Sequence, residues 1–300
     1  MLQFFKTTFM FTMYYPLITL FDFTIEKKKV FKISSIILNY SNCKLYRVSE
    51  HKVSHLKNII YFSNHRSWAD FFIDNIVTEY CTKFISRIEV AYILPLYVYI
   101  TGYLLLDVLI FFRRGKTNIS DFEKLIKDSQ LNNTSGNDIL VYPEGTRRSG
   151  LDYACDLKKG LIYYAYKENC PIQFIISKNK EKILNEKRFT AEKNVNVFVH
   201  YSHVYYPDFT KYRSIQEFYD FINTEWKTTF NAIYSTDHES KIHEYQQIDA
   251  TKTHDDNYYI NKSMLYGIRF AIVSTVVLIP AILVKLFCVT TNLCDVGKLN

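Results

Sequence analysis

The chain is poor in the two residues that break regular structure, with 8 glycines and 6 prolines in 300 residues. Hydrophobic residues make up 48% and aromatics 17%. That balance excludes a disordered chain, which cannot bury enough apolar surface to order itself. The cysteines, Cys43, Cys81, Cys155, Cys170, Cys288 and Cys294, form no CxxC pair and no regular framework. A disulfide scaffold is therefore not expected, and reduced thiols in an intracellular protein are. No internal repeat is present. The net charge of +7 permits nucleic acid, an anionic membrane surface or a phosphorylated small molecule as partner. No interleaved basic-aromatic motif accompanies it, so no nucleic-acid partner is expected.

Long apolar runs are present. "FAIVSTVVLIPAILVKLFCV" (270 to 289) is interrupted only by Lys285 and has the length that crosses a hydrocarbon core of about 30 Å. Lys285 lies near enough to its end to snorkel, and Pro280 is tolerated better in a membrane helix than in a soluble one. "TTFMFTMYYPLITLFDFTI" (7 to 25) carries Pro16 and Asp22; it either spans or lies in the interface. No small-residue cleavage site follows it, which argues against a removed signal peptide. Lys27, Lys28 and Lys29 follow the first run, and Lys262 and Arg269 precede the last. The positive-inside rule then places residues 27 to 269 in the cytosol. This predicts an integral membrane protein with an N-terminal hydrophobic segment (1–26), a central domain (27–235), a polar linker (236–262) and a C-terminal transmembrane helix with a short tail (263–300). An endoplasmic-reticulum-type membrane fits that layout. A third run, "YILPLYVYITGYLLLDVLIFF" (92 to 112), contains Gly102 and Asp107 and reads as a buried helix running into a strand.

Within the middle, apolar runs of strand length at 58 to 62, 107 to 112, 138 to 142, 172 to 177 and 195 to 205 alternate with helix-like segments. Those lie around 68 to 80, 117 to 130, 158 to 168 and 214 to 233. Repeated strand-then-helix order predicts an α/β fold, a mixed sheet flanked by helices. Ligands of such sheets gather beyond the carboxyl ends of the strands. His65 falls just after the strand at 58 to 62, Arg113 and Arg114 after "LDVLIFF", and Glu144 after "DILVY". Ser67-Trp-Ala-Asp70 also fits a capping box, in which Asp70 satisfies helix-start amides. His200 and His203, three apart on a strand, point to opposite faces and are not expected to bind metal. His51 and His55 are expected at the surface.

Taken together, "SNHRSWAD", "FFRR", "YPEGTRRSG", "DLKKG" and "ENCPIQFII" (58 to 178) resemble the glycerolipid acyltransferase family, which acylates lysophosphatidic acid and related lysophospholipids. The SNHR form and the C-terminal run are most similar to its membrane-bound eukaryotic-type branch. The resemblance implies acyl-CoA as co-substrate, a lysophospholipid (lysophosphatidic acid first) as acceptor, a lipid bilayer as partner, and no cofactor or metal. It implies His65 and Asp70 as catalytic residues. Asn64, Arg114, Glu144, Gly145, Thr146, Arg147 and Lys159 would contact substrate, with Lys158 helping to steer an anionic group.

The chemistry agrees with that assignment. A neutral imidazole, ordinarily titrating near 6.5, suits a base that takes the acceptor's hydroxyl proton. Asp70 on the other ring nitrogen would fix the tautomer and stabilise imidazolium. Positions five apart do not share a helical face, so His65 must lie in a loop, with Asp70 in the first helical turn. Backbone amides at that helix start would serve a developing oxyanion. Arg114 and Arg147 offer planar donors for a phosphate, and Glu144 would order Arg147 or hold a glycerol hydroxyl.

Overall fold

A computed structural model of the chain describes residues 1–14, 16–17, 32–105, 108–113, 119–131, 138–252 and 262–274. Among these, eight strands form one sheet: β1 (Lys44–Arg47), β2 (Ile60–Ser63), β3 (Thr82–Arg87), β4 (Leu109–Phe112), β5 (Asp138–Val141), β6 (Ile172–Lys178), β7 (Asn196–Tyr205) and β8 (Gln246–Gln247). The order across the sheet is β4-β3-β5-β2-β6-β7-β1-β8. Neighbours from β4 to β6 run parallel, whereas β6 pairs antiparallel with β7 and β1 with β8. The mixed α/β sheet expected from the alternating pattern is therefore present.

Side chains alternate across a strand, and the two faces of the sheet build two cores. Tyr61, Phe84, Leu140, Ile175 and Val199 pack with helices α2 (Lys32–Tyr40) and α3 (Asp70–Val77). Phe62, Val141, Phe174 and Ile176 pack with α6 (Lys159–Lys167) and α8 (Ile215–Ser235). The central strands are covered on both faces, which is why they read as unbroken apolar runs. Helix α8 starts at a variant of the capping box: the N-cap Ser214 accepts from the Glu217 N–H, and Glu217 reaches one residue further back to accept from the Arg213 N–H. Phe218, Ile222, Trp226 and Phe230 then recur at helical spacing and are all buried.

Two segments differ from expectation. The run at 92 to 112 contains the end of a short helix, α4 (Ile88–Ile93), then the π-helical Pro95–Leu105 and strand β4. The helix-then-strand order holds, but Tyr92, Ile93, Tyr99 and Tyr103 are exposed rather than buried. Asp107 lies outside the described residues. The expected linker is partly folded: β8 pairs with β1, and the Ile248 N–H donates to the Leu45 carbonyl. A sheet edge accepts any backbone, so a polar segment joins it without an apolar pattern. At the N-terminus, α1 (Leu2–Phe9) leads into the π-helical turn Met10–Tyr14. No helix among the described residues is long and apolar enough to cross a membrane. Residues 15 and 18–25 of the first terminal run and 275–289 of the last lie outside them.

Candidate active site

Strand β2 ends at Ser63, and the chain passes through the loop Asn64–Ala69 before α3 begins at Asp70. His65 lies in that loop and Asp70 in the first turn, as their spacing requires. His65 Nδ1 is 2.7 Å from Asp70 Oδ2. The same carboxylate oxygen accepts the backbone N–H groups of Arg66 at 2.6 Å and Ser67 at 3.1 Å. Ser67 Oγ in turn accepts from the Ala69 N–H. One aspartate thus gathers the loop amides ahead of α3 and orients the imidazole; the expected capping box is only half made, because Ala69 is the N-cap and the Ser67 hydroxyl accepts from Ala69 rather than from Asp70.

Asp70 is fully buried, and burial alone would raise its carboxyl. Lys180, whose Nζ lies 3.5 Å from Asp70 Oδ1, outweighs that penalty together with His65 and the Arg66 N–H. They hold it below the usual carboxylate range, as a fixed negative charge. Lys180 is itself buried; it binds Asp74 at 3.1 and 3.2 Å and donates to Ser63 Oγ. For His65, burial is the largest influence and lowers its pKa; Arg147 and Lys180 act in the same direction, against Asp70. The imidazole is therefore neutral at neutral pH. Its Nδ1–H faces Asp70, which leaves Nε2 as the proton acceptor. The ring stacks on Tyr142 at 4.2 Å and 12°, which fixes its plane.

The "PEGTRR" loop after β5 is laced to this histidine in both directions. The His65 N–H donates to Glu144 Oε1 at 3.2 Å, and the Arg148 N–H donates to the His65 carbonyl at 2.7 Å. Gly145 has φ +71, and a Cβ there would meet Lys158 Cγ at 3.2 Å. The left-handed backbone favours glycine, and the Lys158 side chain packs tightly against it.

Beside His65 opens a groove of about 360 Å³. Its apolar lining includes Phe11, Trp68, Phe72, Leu94, Phe112 and Phe122; its cations are Arg87, Arg147 and Lys158. No carboxylate lines it among the described residues. Such a lining suits a ligand with an acyl chain and an anionic head.

The expected contact residues separate. Gly145, Thr146 and Arg147 line the groove. Glu144 does not: it is buried and holds the His65 loop, while Arg147 pairs with Glu186 at 2.7 Å. Burial pushes the Glu144 carboxyl up to about 7. Asn64 is also buried, and its amide joins β2 to the Ser177 backbone and the Tyr234 hydroxyl. Lys159 leaves the groove for α8, bonding Gln216 and lying over the Tyr219 ring; Lys158 takes the groove position instead. Successive residues at a helix start diverge by about 100°, so only one of the pair can face inward. Arg114 lies outside the described residues.

The backbone amides of the loop just ahead of α3 are not available to an oxyanion. Arg66 and Ser67 donate to Asp70, Trp68 to Glu186 and Ala69 to Ser67. Sequence reasoning also missed Arg87, Lys180, Glu186 and Tyr142. Arg87 ends β3, a strand too short in apolar content to stand out. Lys180 follows β6 in "SKNKEKIL", which resembles a solvated charge run, yet β6 is the parallel neighbour of β2. Its strand end was the available signal.

Residues 46–178 match the family model described as Acyltransferase. Among solved structures the chain is similar to the crystal structure of the 1-acyl-sn-glycerophosphate (LPA) acyltransferase, PlsC, from Thermotoga maritima. The TM-score is 0.54 at 16% identity, over 78% of this chain and 95% of that one; at that identity the likeness shows the fold. No curated protein sequence matches the chain. The motif order, the fold and the matched domain together support the glycerolipid acyltransferase family.

Proposed function

We propose that this chain transfers a fatty acyl group from acyl-CoA to a lysophospholipid, with lysophosphatidic acid as first acceptor and phosphatidic acid as product. The observation that carries this reading is the neutral His65, backed by Asp70 at 2.7 Å, in a groove that, among the described residues, is lined by three cations and no carboxylate. In the proposed step the acceptor hydroxyl gives its proton to His65 Nε2 and its oxygen attacks the thioester carbonyl. The tetrahedral intermediate collapses, the carbon–sulfur bond breaks, and the departing thiolate takes the proton from imidazolium. Asp70 stabilises the imidazolium throughout. Thr146 and Arg147, which follow the left-handed Gly145 and line the groove, are the proposed backbone donors for the oxyanion. Arg147, Arg87 and Lys158 hold the phosphate, and the apolar lining holds the chain.

Attachment to a bilayer is part of the proposal. Leu2, Phe5 and Phe9 of α1 and Phe270 of α9 (Lys262–Val273) are exposed, and large apolar side chains left in the open support membrane contact. With the basic flanks of both terminal runs, this supports an integral protein whose catalytic domain faces the cytosol. The SNHR form supports the eukaryotic-type branch. The test is acylation in membranes with labelled acyl-CoA across lysophospholipid head groups. Labelled phosphatidic acid is expected; lipid binding without turnover on any head group would refute the reading.

A further inference from the structure

The active site occupies the carboxyl ends of β2 and β5. A second cluster of reactive side chains lies at the opposite ends of the same strands. His55 precedes β2, Cys81 immediately precedes β3, and Asp138 is the first residue of β5, paired with Thr82. We propose that His55, Cys81 and Asp138 bind a divalent transition-metal ion of the zinc class, which ties the amino ends of three strands together.

The geometry matches such an ion. Cys81 Sγ is 3.6 Å from His55 Nδ1 and 3.7 Å from Asp138 Oδ2, and all three donor atoms lie within 4.8 Å of one another. Zinc bonds of about 2.3 Å to sulfur and about 2.0–2.2 Å to nitrogen or oxygen at tetrahedral angles require sulfur-to-ligand edges of roughly 3.6 Å. One thiolate, one imidazole and one carboxylate form a donor set that suits zinc and disfavours magnesium or calcium. The second ring nitrogen of the histidine is already engaged: His55 Nε2 lies 3.3 Å from Glu79 Oε2. That is the carboxylate–histidine arrangement that orients a metal-bound imidazole. Glu79 is in turn paired with Lys252. Glu79 and Tyr80 both have positive φ, 52 and 59, a strained turn that sets the carboxylate against the histidine.

Access and charge are also consistent. Cys81 and Asp138 are buried, but the His55 side chain is 20% exposed. A cavity of about 170 Å³ opens beside Glu79. Three protein ligands leave one tetrahedral position, which water fills from the His55 side. Cys81 Sγ now lies 2.8 Å from the Thr78 carbonyl. Binding replaces that S–H···O contact with a metal–thiolate bond and releases the thiol proton to solvent.

The test uses the full-length protein in detergent, stripped with chelator and titrated with Co²⁺ and then Zn²⁺. Cobalt should give a near-ultraviolet thiolate-to-cobalt charge-transfer band with visible bands of a tetrahedral site, displaced by Zn²⁺ at one equivalent. Cys81→Ser should lose the near-ultraviolet band. Glu79→Gln, which removes no ligand, should weaken zinc affinity about 10–100-fold in a chelator competition. Absence of the band in the wild type, or its persistence in Cys81→Ser, overturns the proposal. If Cys81→Ser does not fold, the Glu79→Gln competition decides alone, and wild-type affinity there also overturns it.

Discussion

Replacing Asp70 with asparagine tests the proposed mechanism most sharply, because size and hydrogen-bond capacity change little while the charge disappears. The amide oxygen can still accept the His65 Nδ1–H and the Arg66 and Ser67 N–H groups, which now meet one carboxylate oxygen at 2.7, 2.6 and 3.1 Å. The imidazole tautomer is therefore retained. What is lost is the charge that stabilises imidazolium as the acceptor proton arrives. A hydrogen bond to a charged group contributes about 1.5–3 kcal/mol, and each 1.36 kcal/mol is a factor of ten in rate. Turnover should fall by roughly 10- to 150-fold. The Michaelis constant for the acceptor should hardly move, because Asp70 is fully buried and does not line the groove. The pH profile gives a second reading. Burial already holds the wild-type His65 pKa below its usual value. The rising acid limb of kcat/KM should therefore lie below about 6.5, with activity flat above it and lost as the imidazole protonates. Removing the Asp70 charge removes an influence that raises the His65 pKa, so the acid limb should move further toward acid. The assay is steady-state acylation of lysophosphatidic acid from pH 5 to 8. Near-wild-type turnover with an unmoved acid limb would refute the base–orienter pairing and reduce Asp70 to a helix cap.

Other outcomes follow from the same geometry. His65→Ala should lower turnover by more than the roughly 10²–10⁴-fold typical of a general base, with unchanged membrane insertion and thermal stability; retained turnover in labelled-acyl assays would count against the mechanism. Arg147→Lys should raise the Michaelis constant for a phosphate monoester about tenfold and spare a diester acceptor, since lysine loses the planar contact; equal effects on both substrates would refute the phosphate assignment. Lys180→Met leaves Asp70 and Asp74 buried without their shared cation, so chemical denaturation should show a loss of about 3–5 kcal/mol. Removing residues 263–300 should release the protein from membranes on carbonate washing without removing a catalytic group; full retention would move the main anchor to the N-terminal run.

The sequence alone determined the α/β alternation, the loop position of His65 and the placement of Asp70 in the first helical turn. These follow from strand and helix periods and from a spacing of five, which are local properties. It also located the basic "EGTR" turn, through the joint order of the motifs rather than through the turn itself, which alone is an ordinary one. The tertiary structure decided which side chains face the groove. Lys158 rather than Lys159 enters it because helix α6 starts between them. Glu144 holds the His65 backbone rather than Arg147, because β2 and β5 are adjacent and parallel and bring the two loops together. Lys180 supports Asp70 across 110 residues of sequence for the same reason, since β6 flanks β2 on the other side. Strand order is a long-range pairing choice that no local pattern encodes, and it alone determines which strand ends share an active site.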